Sequence, residues 1–390
     1  MLLTFTKKGI ISKMKNICIM PWIAVDRNRN NVVGRTTLTP CCFYEPEGEH
    51  RDIESYWNSD ETIKLRKDLL AGERPKGCRL CWKAEDNGIT SMRQRINEGR
   101  LEEYKERLSQ TRMELPPTQI KYTVGQECNL ACRMCLPTFS TKVKKVWDIL
   151  GKTQDMELDT LMNTPDYILE NRKHISYVDI MGGEPFYHKK AKNLLRELIR
   201  TGDNEHITLH ITTNATRIDL DTVALIKKFK DVVLSISIDG VGDVQEYIRP
   251  GCNWNKLSEN IKLLRTNGIS LQVASTISVM TILRLPDLED WCKKNDIFWS
   301  QPGLIDKPGE LSPHNLPYQL HDLVPEKYKK YVEPEATHDP VNFIKQLDQY
   351  WKTDITKVMP EWKRVFDKLH WKQSDHLDNL NNVAEKYVNG

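Results

Sequence analysis

Cys128, Cys132 and Cys135 stand in VGQECNLACRMCLPT, a C-x3-C-x2-C triad directly after the apolar, strand-like run IKYTV. Three thiolates within eight residues of loop can wrap one small inorganic object. They are one short of the four cysteines that saturate a cubane iron–sulfur cluster. An iron left without a protein ligand can bind something else, so the spacing points to cluster chemistry rather than electron storage. A structural zinc site would want a closed set of four ligands. Upstream lie Cys18, Cys41, Cys42, Cys78 and Cys81, in CIMPWIAV, GRTTLTPCC and KGCRLCWKAEDNG. A C-x2-C pair completed by distant cysteines makes a four-ligand set for a second cluster or, alternatively, a zinc ribbon. Adjacent residues on a hairpin arm point to opposite sides, so either Cys41 or Cys42 is the fourth ligand. Cys252 and Cys292 read as isolated thiols, Cys292 as a small helix-borne hydrophobe.

The rest of the composition narrows the class. At 390 residues the chain is long enough for two or three domains. Its net charge of +3 comes from well-mixed signs, which argues for neither a nucleic-acid-binding nor a membrane-binding surface. No apolar run approaches the ~20 residues that span a bilayer. MLLTFTKKGIISKMKN lacks the apolar core and cleavage site of a signal peptide, and Met14 could be the original start, with 1–13 a disordered leader. Ten cysteines without an export signal suggest metal binding in a reducing, cytoplasmic compartment.

The elements that must position these groups alternate. Strands are expected at 119–124, 176–181, 207–213, 232–238, 271–278 and 296–300, and helices at 140–150, 189–201, 220–229, 255–266 and 286–294. Such alternation means βαβ units and a parallel sheet. One parity of three successive strands is polar: Thr208, His210, Thr212 and Asn214; Ser235, Ser237 and Asp239; Gln272, Thr276 and Ser278. The other parity (Leu209, Ile211, Leu234, Ile236, Ile238, Val273, Ile277, Val279) is apolar. Buried parallel strands are usually apolar on both faces, so the polar set is expected to line a ligand cavity. PGLIDKPGELSPHNLP at 302–317 is a Pro/Gly-rich connector, and 324–386 read as helices bearing Tyr350, Trp351, Trp362, Phe366 and Trp371.

The triad spacing resembles the signature of the radical S-adenosylmethionine (radical SAM) superfamily, and several motifs agree with it. MGGEPFYH at 181–188 looks like the family's GGE motif, whose Gly182, Gly183 and Glu184 would hold the SAM ammonium. ITTNAT at 211–216, containing Asn214, is similar to the third-strand TNG turn, with Ala215 in place of the glycine. SISIDG at 235–240, containing Asp239, looks like the fourth-strand ribose motif, and Ser237 with Arg249 of QEYIRPG matches the pair that holds the SAM carboxylate in peptide-modifying members. Met134 takes the position before the third cysteine that is usually aromatic. The upstream stretch resembles a twitch domain, a half-sized SPASM module that carries one auxiliary cluster. Its matching parts are C-x2-PW, a hairpin ending in PCC, a helix with LR…LLAGE, and C-x2-C; alignment on the Pro-Cys step favours Cys41.

The resemblance implies an α/β fold: a partial (β/α)6 barrel at 106–302, an α+β auxiliary-cluster domain at 1–105 placed before the barrel, and a helical extension at 303–390. It also implies a catalytic and an auxiliary [4Fe–4S] cluster, SAM, and a reductant such as flavodoxin or ferredoxin. The expected chemistry is reductive SAM cleavage to a 5′-deoxyadenosyl radical that abstracts hydrogen from a peptide or protein, or alternatively from a sugar or nucleoside derivative. A non-enzymatic iron–sulfur or zinc scaffold is the reading of another class. No residue identifies itself as the catalytic acid or base.

Overall fold

The computed structural model describes residues 16–29, 36–152, 164–333 and 336–366. The proposed leader and Met14, Trp371, and the helical reading beyond 366 lie outside the described residues.

The strands are β1 (Ala24–Arg29), β2 (Thr36–Thr39), β3 (Gln119–Thr123), β4 (Tyr177–Met181), β5 (Thr208–Thr213), β6 (Asp231–Ser237), β7 (Ser270–Ala274), β8 (Thr276–Ile277), β9 (Phe298–Trp299) and β10 (Gly303–Leu304). Eight of them form one sheet in the order β2-β1-β3-β4-β5-β6-β7-β9. All its neighbours pair in parallel except the β1–β2 hairpin. The six strands expected from the alternation are therefore present, and the N-terminal hairpin extends their edge through Ala24↔Gln119 and Val25↔Ile120. The expected helices fall at Thr141–Ile149, Lys189–Arg200, Leu220–Ile226, Trp254–Thr266 and Leu285–Lys294.

Side-chain alternation sorts the two faces. Val178, Ile180, Leu209, Ile211, Leu234, Ile236 and Val273 are buried in one core with Leu194, Leu198, Ile261 and Leu264 of the flanking helices. The intervening Lys121, Asp179, His210, Thr212 and Gln272 are only half-buried, so the opposite, inner face is polar. The expected strand 271–278 is corrected by the structure. It breaks after Ala274 because the Thr276 amide donates to Asp239 Oδ1 at 2.7 Å, and β8 pairs with β10 in a separate ribbon. Ser278 consequently leaves the polar row. It is buried in a turn where its Oγ accepts from Met280 N and Thr281 N.

The N-terminal elements are held by one buried cation. Arg66, on helix Asp60–Leu70, donates to the carbonyls of Pro21 (2.9 Å), Thr111 (3.1 Å) and Trp57 (2.8 Å) and lies over the Trp57 ring. The extension after 303 builds a second core, in which Phe343, Ile344, Leu347 and Trp362 pack with Met134, Val146, Tyr247 and Ile277. Tyr350, Trp351 and Phe366 are half-buried and pack against that core, Tyr318 is exposed, and Met134 belongs to the core itself.

Candidate functional site

The cysteine loop follows β3 and is pinned to the segment after β6. Ala131 N donates to Pro250 O (3.1 Å) and Arg133 N to Ile248 O (2.9 Å), which carries Arg249 up to Cys132. There Arg249 Nη1 donates to Cys132 Sγ at 3.7 Å. Cys128 Sγ receives Leu130 N at 3.4 Å and Asn214 Nδ2 at 3.9 Å. Burial pushes the Cys128 thiol up to about 11, and raises Cys132 and Cys135 as well, with Arg249 opposing the rise at Cys132. Donors aimed at the sulfurs suit thiolates that ligate iron, since ligation deprotonates the thiols.

The GGE turn sits against this loop because nothing larger than glycine fits. A Cβ on Gly183 would stand 2.3 Å from Glu127 O, and one on Gly182 would stand 2.4 Å from Thr123 Cγ2. Both glycines have positive φ, +89° and +40° for Gly182 and Gly183. Glu184 is 1 % exposed, and its carboxylate accepts from Thr213 Oγ1 (2.6 Å), Asn214 N (2.8 Å) and Phe186 N (3.1 Å). Burial nonetheless leaves its pKa above the usual carboxylate range. The acid therefore ties the GGE turn to the turn after β5. Asn214 completes that junction through Asn129 Oδ1 at 3.0 Å. Ala215 takes the left-handed conformation, φ +54°, that the resembled motif gives to glycine.

Arg249 and Asp239 form a buried pair. Arg249 Nε and Nη2 both reach Asp239 Oδ2 at 2.7 Å; burial alone would lower the guanidinium's pKa, but the Asp239 carboxylate and Cys132 outweigh it and leave it raised. The Ser237 hydroxyl is half-buried and has no protein partner among the described residues. Gly182, Gly183, Glu184, Asn214, Asp239 and Arg249 thus meet the cysteine loop at the C-terminal ends of β3–β6, with Ser237 on the last residue of β6.

A second cavity is lined by Cys18, Cys41, Cys78 and Cys81, with Tyr44, Met92 and Arg93 around them. Cys42 is not in its lining. Cys42 is exposed, and its thiol is raised by partial desolvation and by the nearby Asp26 and Asp179 charges against that of Lys121. Burial pushes Cys18 up to about 12 and raises Cys41 and Cys78 too, against the Arg93 charge at Cys18 and Cys78. Helix Met92–Asn97 shapes this wall: Asn97 pairs with Ile17 O and Ile19 N on either side of Cys18, and Arg93 donates to Ile17 O and Glu85. Among the described residues no three His, Cys, Asp or Glu side chains gather tightly enough to hold a single metal ion. The thiols stand around a space rather than about a point.

Arg133 and Arg93 carry positioning roles that the motifs did not announce. Arg133 is 2 % exposed; it donates to Tyr247 O (2.7 Å) and Thr353 Oγ1 (2.5 Å), pairs with Asp348 (3.0 Å) and lies over the Tyr247 ring. It fastens the cysteine loop to the C-terminal extension. An arginine between two ligand-spaced cysteines was the available signal.

The profile of the radical SAM superfamily matches residues 122–293. That span carries a radical SAM domain. It starts inside β3 and ends in helix Leu285–Lys294, so it takes in the cysteine loop, the GGE turn and the Asp239–Arg249 pair. Among solved structures, SuiB of Streptococcus suis bound to S-adenosylmethionine is 17% identical over 78% of this chain and 69% of its own, with a TM-score of 0.37. The structure titled native anSMEcpe with bound AdoMet is 16% identical over 50% of this chain and 52% of its own, TM-score 0.37. TsrM, a radical S-adenosylmethionine methyltransferase from Kitasatospora setae, is 14% identical over 48% and 36%, TM-score 0.35. The chain thus spans about half the length of anSMEcpe. No curated protein matches the chain. Among the described residues no helix is long and apolar enough to cross a membrane.

Proposed function

We propose that this chain is a SAM-dependent radical enzyme that abstracts hydrogen from a peptide or protein substrate. The observation that carries the reading is the convergence of three thiols, the glycine-cleared turn at 182–184 and the Arg249–Asp239 pair at one end of the sheet. Cys128, Cys132 and Cys135 would hold a cubane cluster, which with SAM on its open iron supplies reductive cleavage of the sulfonium. Arg249 stabilises charge on Cys132. Ser237, whose hydroxyl has no protein partner among the described residues, and Arg249 are the groups offered to the SAM carboxylate, and the backbone around Gly182–Glu184 to its ammonium.

Cys18, Cys41, Cys78 and Cys81 would hold an auxiliary [4Fe–4S] cluster. Cys18, Cys41, Cys78 and Cys81 line one cavity together, the four-thiol complement that a [4Fe–4S] cluster takes. In this reading residues up to about 105 form the auxiliary module, 106–302 the radical SAM barrel and 303–390 a cap, with flavodoxin or ferredoxin as electron donor in the cytoplasm. The twitch-like motifs support a peptide or protein substrate, while the polar inner face would also suit a sugar or nucleoside derivative.

Anaerobic reconstitution followed by assay for 5′-deoxyadenosine tests the class. About eight irons per chain are expected, and about four in the triple variant Cys128→Ala, Cys132→Ala, Cys135→Ala. Zinc without sulfide in anaerobically purified protein would overturn the reading in favour of a scaffold.

A further inference from the structure

The inner face carries a continuous chain of polar side chains that neither the cysteine loop nor the GGE turn uses. Lys121, Asp179 and His210 are register partners on β3, β4 and β5, and Ser235 and Gln272 are register partners on β6 and β7. His210 lies at the centre. Its Nδ1 is 2.7 Å from Asp179 Oδ1, and its Nε2 is 2.7 Å from Ser235 Oγ. Gln272 Nε2 donates to Ser235 Oγ at 2.6 Å. Lys121 Nζ is 3.7 Å from Asp179 Oδ2 and 2.9 Å from Asp26 Oδ2.

Gln272 Nε2 also stands 3.4 Å from His210 Nε2, but its shorter bond is to Ser235, and that ordering sets the direction of the protons. Asp179 as a carboxylate can only accept, so the His210 Nδ1 proton points at it and Nε2 is left with a lone pair. Ser235 already accepts from Gln272, so its own hydroxyl proton points at Nε2. A serine hydroxyl on an imidazole whose far nitrogen is held by a half-buried carboxylate is the arrangement by which hydroxyl groups are activated on unrelated folds. The tilted row also has two distinguishable ends. Ser235 lies two residues before Ser237, towards the cysteine loop, whereas Asp179 sits mid-strand with the charges of Lys121 and Asp26 beyond it. Tyr177 stacks on His210 at 6.3 Å, and Cys42 feels the Asp26–Lys121–Asp179 charges. The side chains of Asp179, His210 and Lys121 are each 17–19 % exposed, whereas Ser235 is 4 % exposed, so the row opens to space at its Lys121–His210 end and a substrate must reach Ser235 by displacing its cover.

We propose that Ser235, His210 and Asp179 form a directed acid–base relay that takes a proton from a hydroxyl, amine or amide group of a substrate held between the row and the cysteine loop. The substrate's X–H proton passes to Ser235 Oγ as the serine proton moves to His210 Nε2, leaving X with the bonding pair and an imidazolium beside Asp179. No electron moves in this step. The relay rests on the proposed function for the place of the substrate, but its hydrogen-bond direction is a property of the sheet alone.

Two measurements on the full-length, iron-loaded chain test it. In histidine-15N-labelled protein, His210 is expected as the Nδ1–H tautomer at neutral pH, assigned by its loss in His210→Gln. In Asp179→Asn the side-chain oxygen turns to Lys121, its amide faces Nδ1, and the tautomer should reverse to Nε2–H. A small alkyl fluorophosphonate then probes the serine: its P–F bond breaks, an O–P bond forms at Ser235, fluoride leaves and the proton goes to His210. Mass spectrometry should place the adduct on Ser235, with labelling at least ~100-fold slower in His210→Gln, the usual span of a lost general base. Equal iron content in all variants controls for folding. An Nε2–H tautomer in the wild type, absence of the Ser235 adduct, or labelling indifferent to His210 each overturns the relay. If both readouts agree but no 5′-deoxyadenosine forms, the radical reading falls and the relay stands.

Discussion

Replacing Arg133 by Met tests whether the cysteine loop and the C-terminal extension act as one unit. The guanidinium is buried and makes four contacts across the two segments, to Tyr247 O, the Tyr247 ring, Thr353 Oγ1 and Asp348. Removing one partner of a buried pair costs roughly 3–5 kcal/mol because the other charge is left uncompensated. Asp348 keeps two donors, Thr353 Oγ1 at 2.8 Å and Ile355 N at 2.9 Å, which places Arg133→Met at the lower end, about 3 kcal/mol. With about 2 °C per kcal/mol for a large chain, the melting temperature of iron-loaded protein should fall by about 6 °C. Asp348→Asn removes one of the two acceptor oxygens that receive Thr353 Oγ1 and Ile355 N and strands the cation, so it should be destabilising as well. The double variant Arg133→Met, Asp348→Asn should be milder than the sum of the singles, with a coupling of about 1–3 kcal/mol in a urea-unfolding cycle. A coupling below about 0.5 kcal/mol, the limit for independent sites, would show that the loop is not anchored through this pair.

Cys41→Ala should lose about four irons and the Cys78→Ala, Cys81→Ala pair the same four, while Cys42→Ala keeps them; iron loss from Cys42→Ala alone would reverse the assignment. Arg249→Ala strands buried Asp239 and should weaken SAM binding by a few kcal/mol in calorimetry, with Glu184→Gln weakening it less through a misplaced turn after β5. Wild-type affinity in both variants would remove these residues from the SAM site. For pH, the buried Cys18 thiol titrates at about 12 when folded against an ordinary 9.0, so the iron-free fold holds that proton more tightly than the unfolded chain. Its contribution is complete below about pH 9 and is lost as pH rises towards 12, and chemical denaturation across that window should show stability falling in iron-free protein and a smaller slope in Cys18→Ala.

The parallel sheet was legible because strands and amphipathic helices alternate with clear periods, and the cysteine groups because ligand spacing is local. The hairpin was legible as far as its ending in Pro40-Cys41-Cys42, but not its attachment. Edge pairing of β1 with β3 joins residues 95 apart in sequence, and nothing local encodes it. The run 271–278 misled because its apolar alternation continues past the break. The break is set by the distant Asp239 carboxylate capturing the Thr276 amide. Glu184 was recognisable as a buried acid beside glycines, whereas its engagement by Thr213 and Asn214 depends on how the turns after β4 and β5 meet in space.

The attachment of the hairpin sets a geometric rule for the two proposed cofactor sites. Cys41 lines one cavity and Cys42, the next residue, is exposed outside its lining, so a single peptide unit forms the partition between the auxiliary thiols and the surface. Because β1 is hydrogen-bonded to β3, this partition moves with the sheet that bears the cysteine loop. The separation between the two sites is therefore a matter of strand count, not of linker length. One residue inserted after Thr39 would carry Cys41 out of the auxiliary lining and bring Pro40 into its place, leaving that site a thiol short.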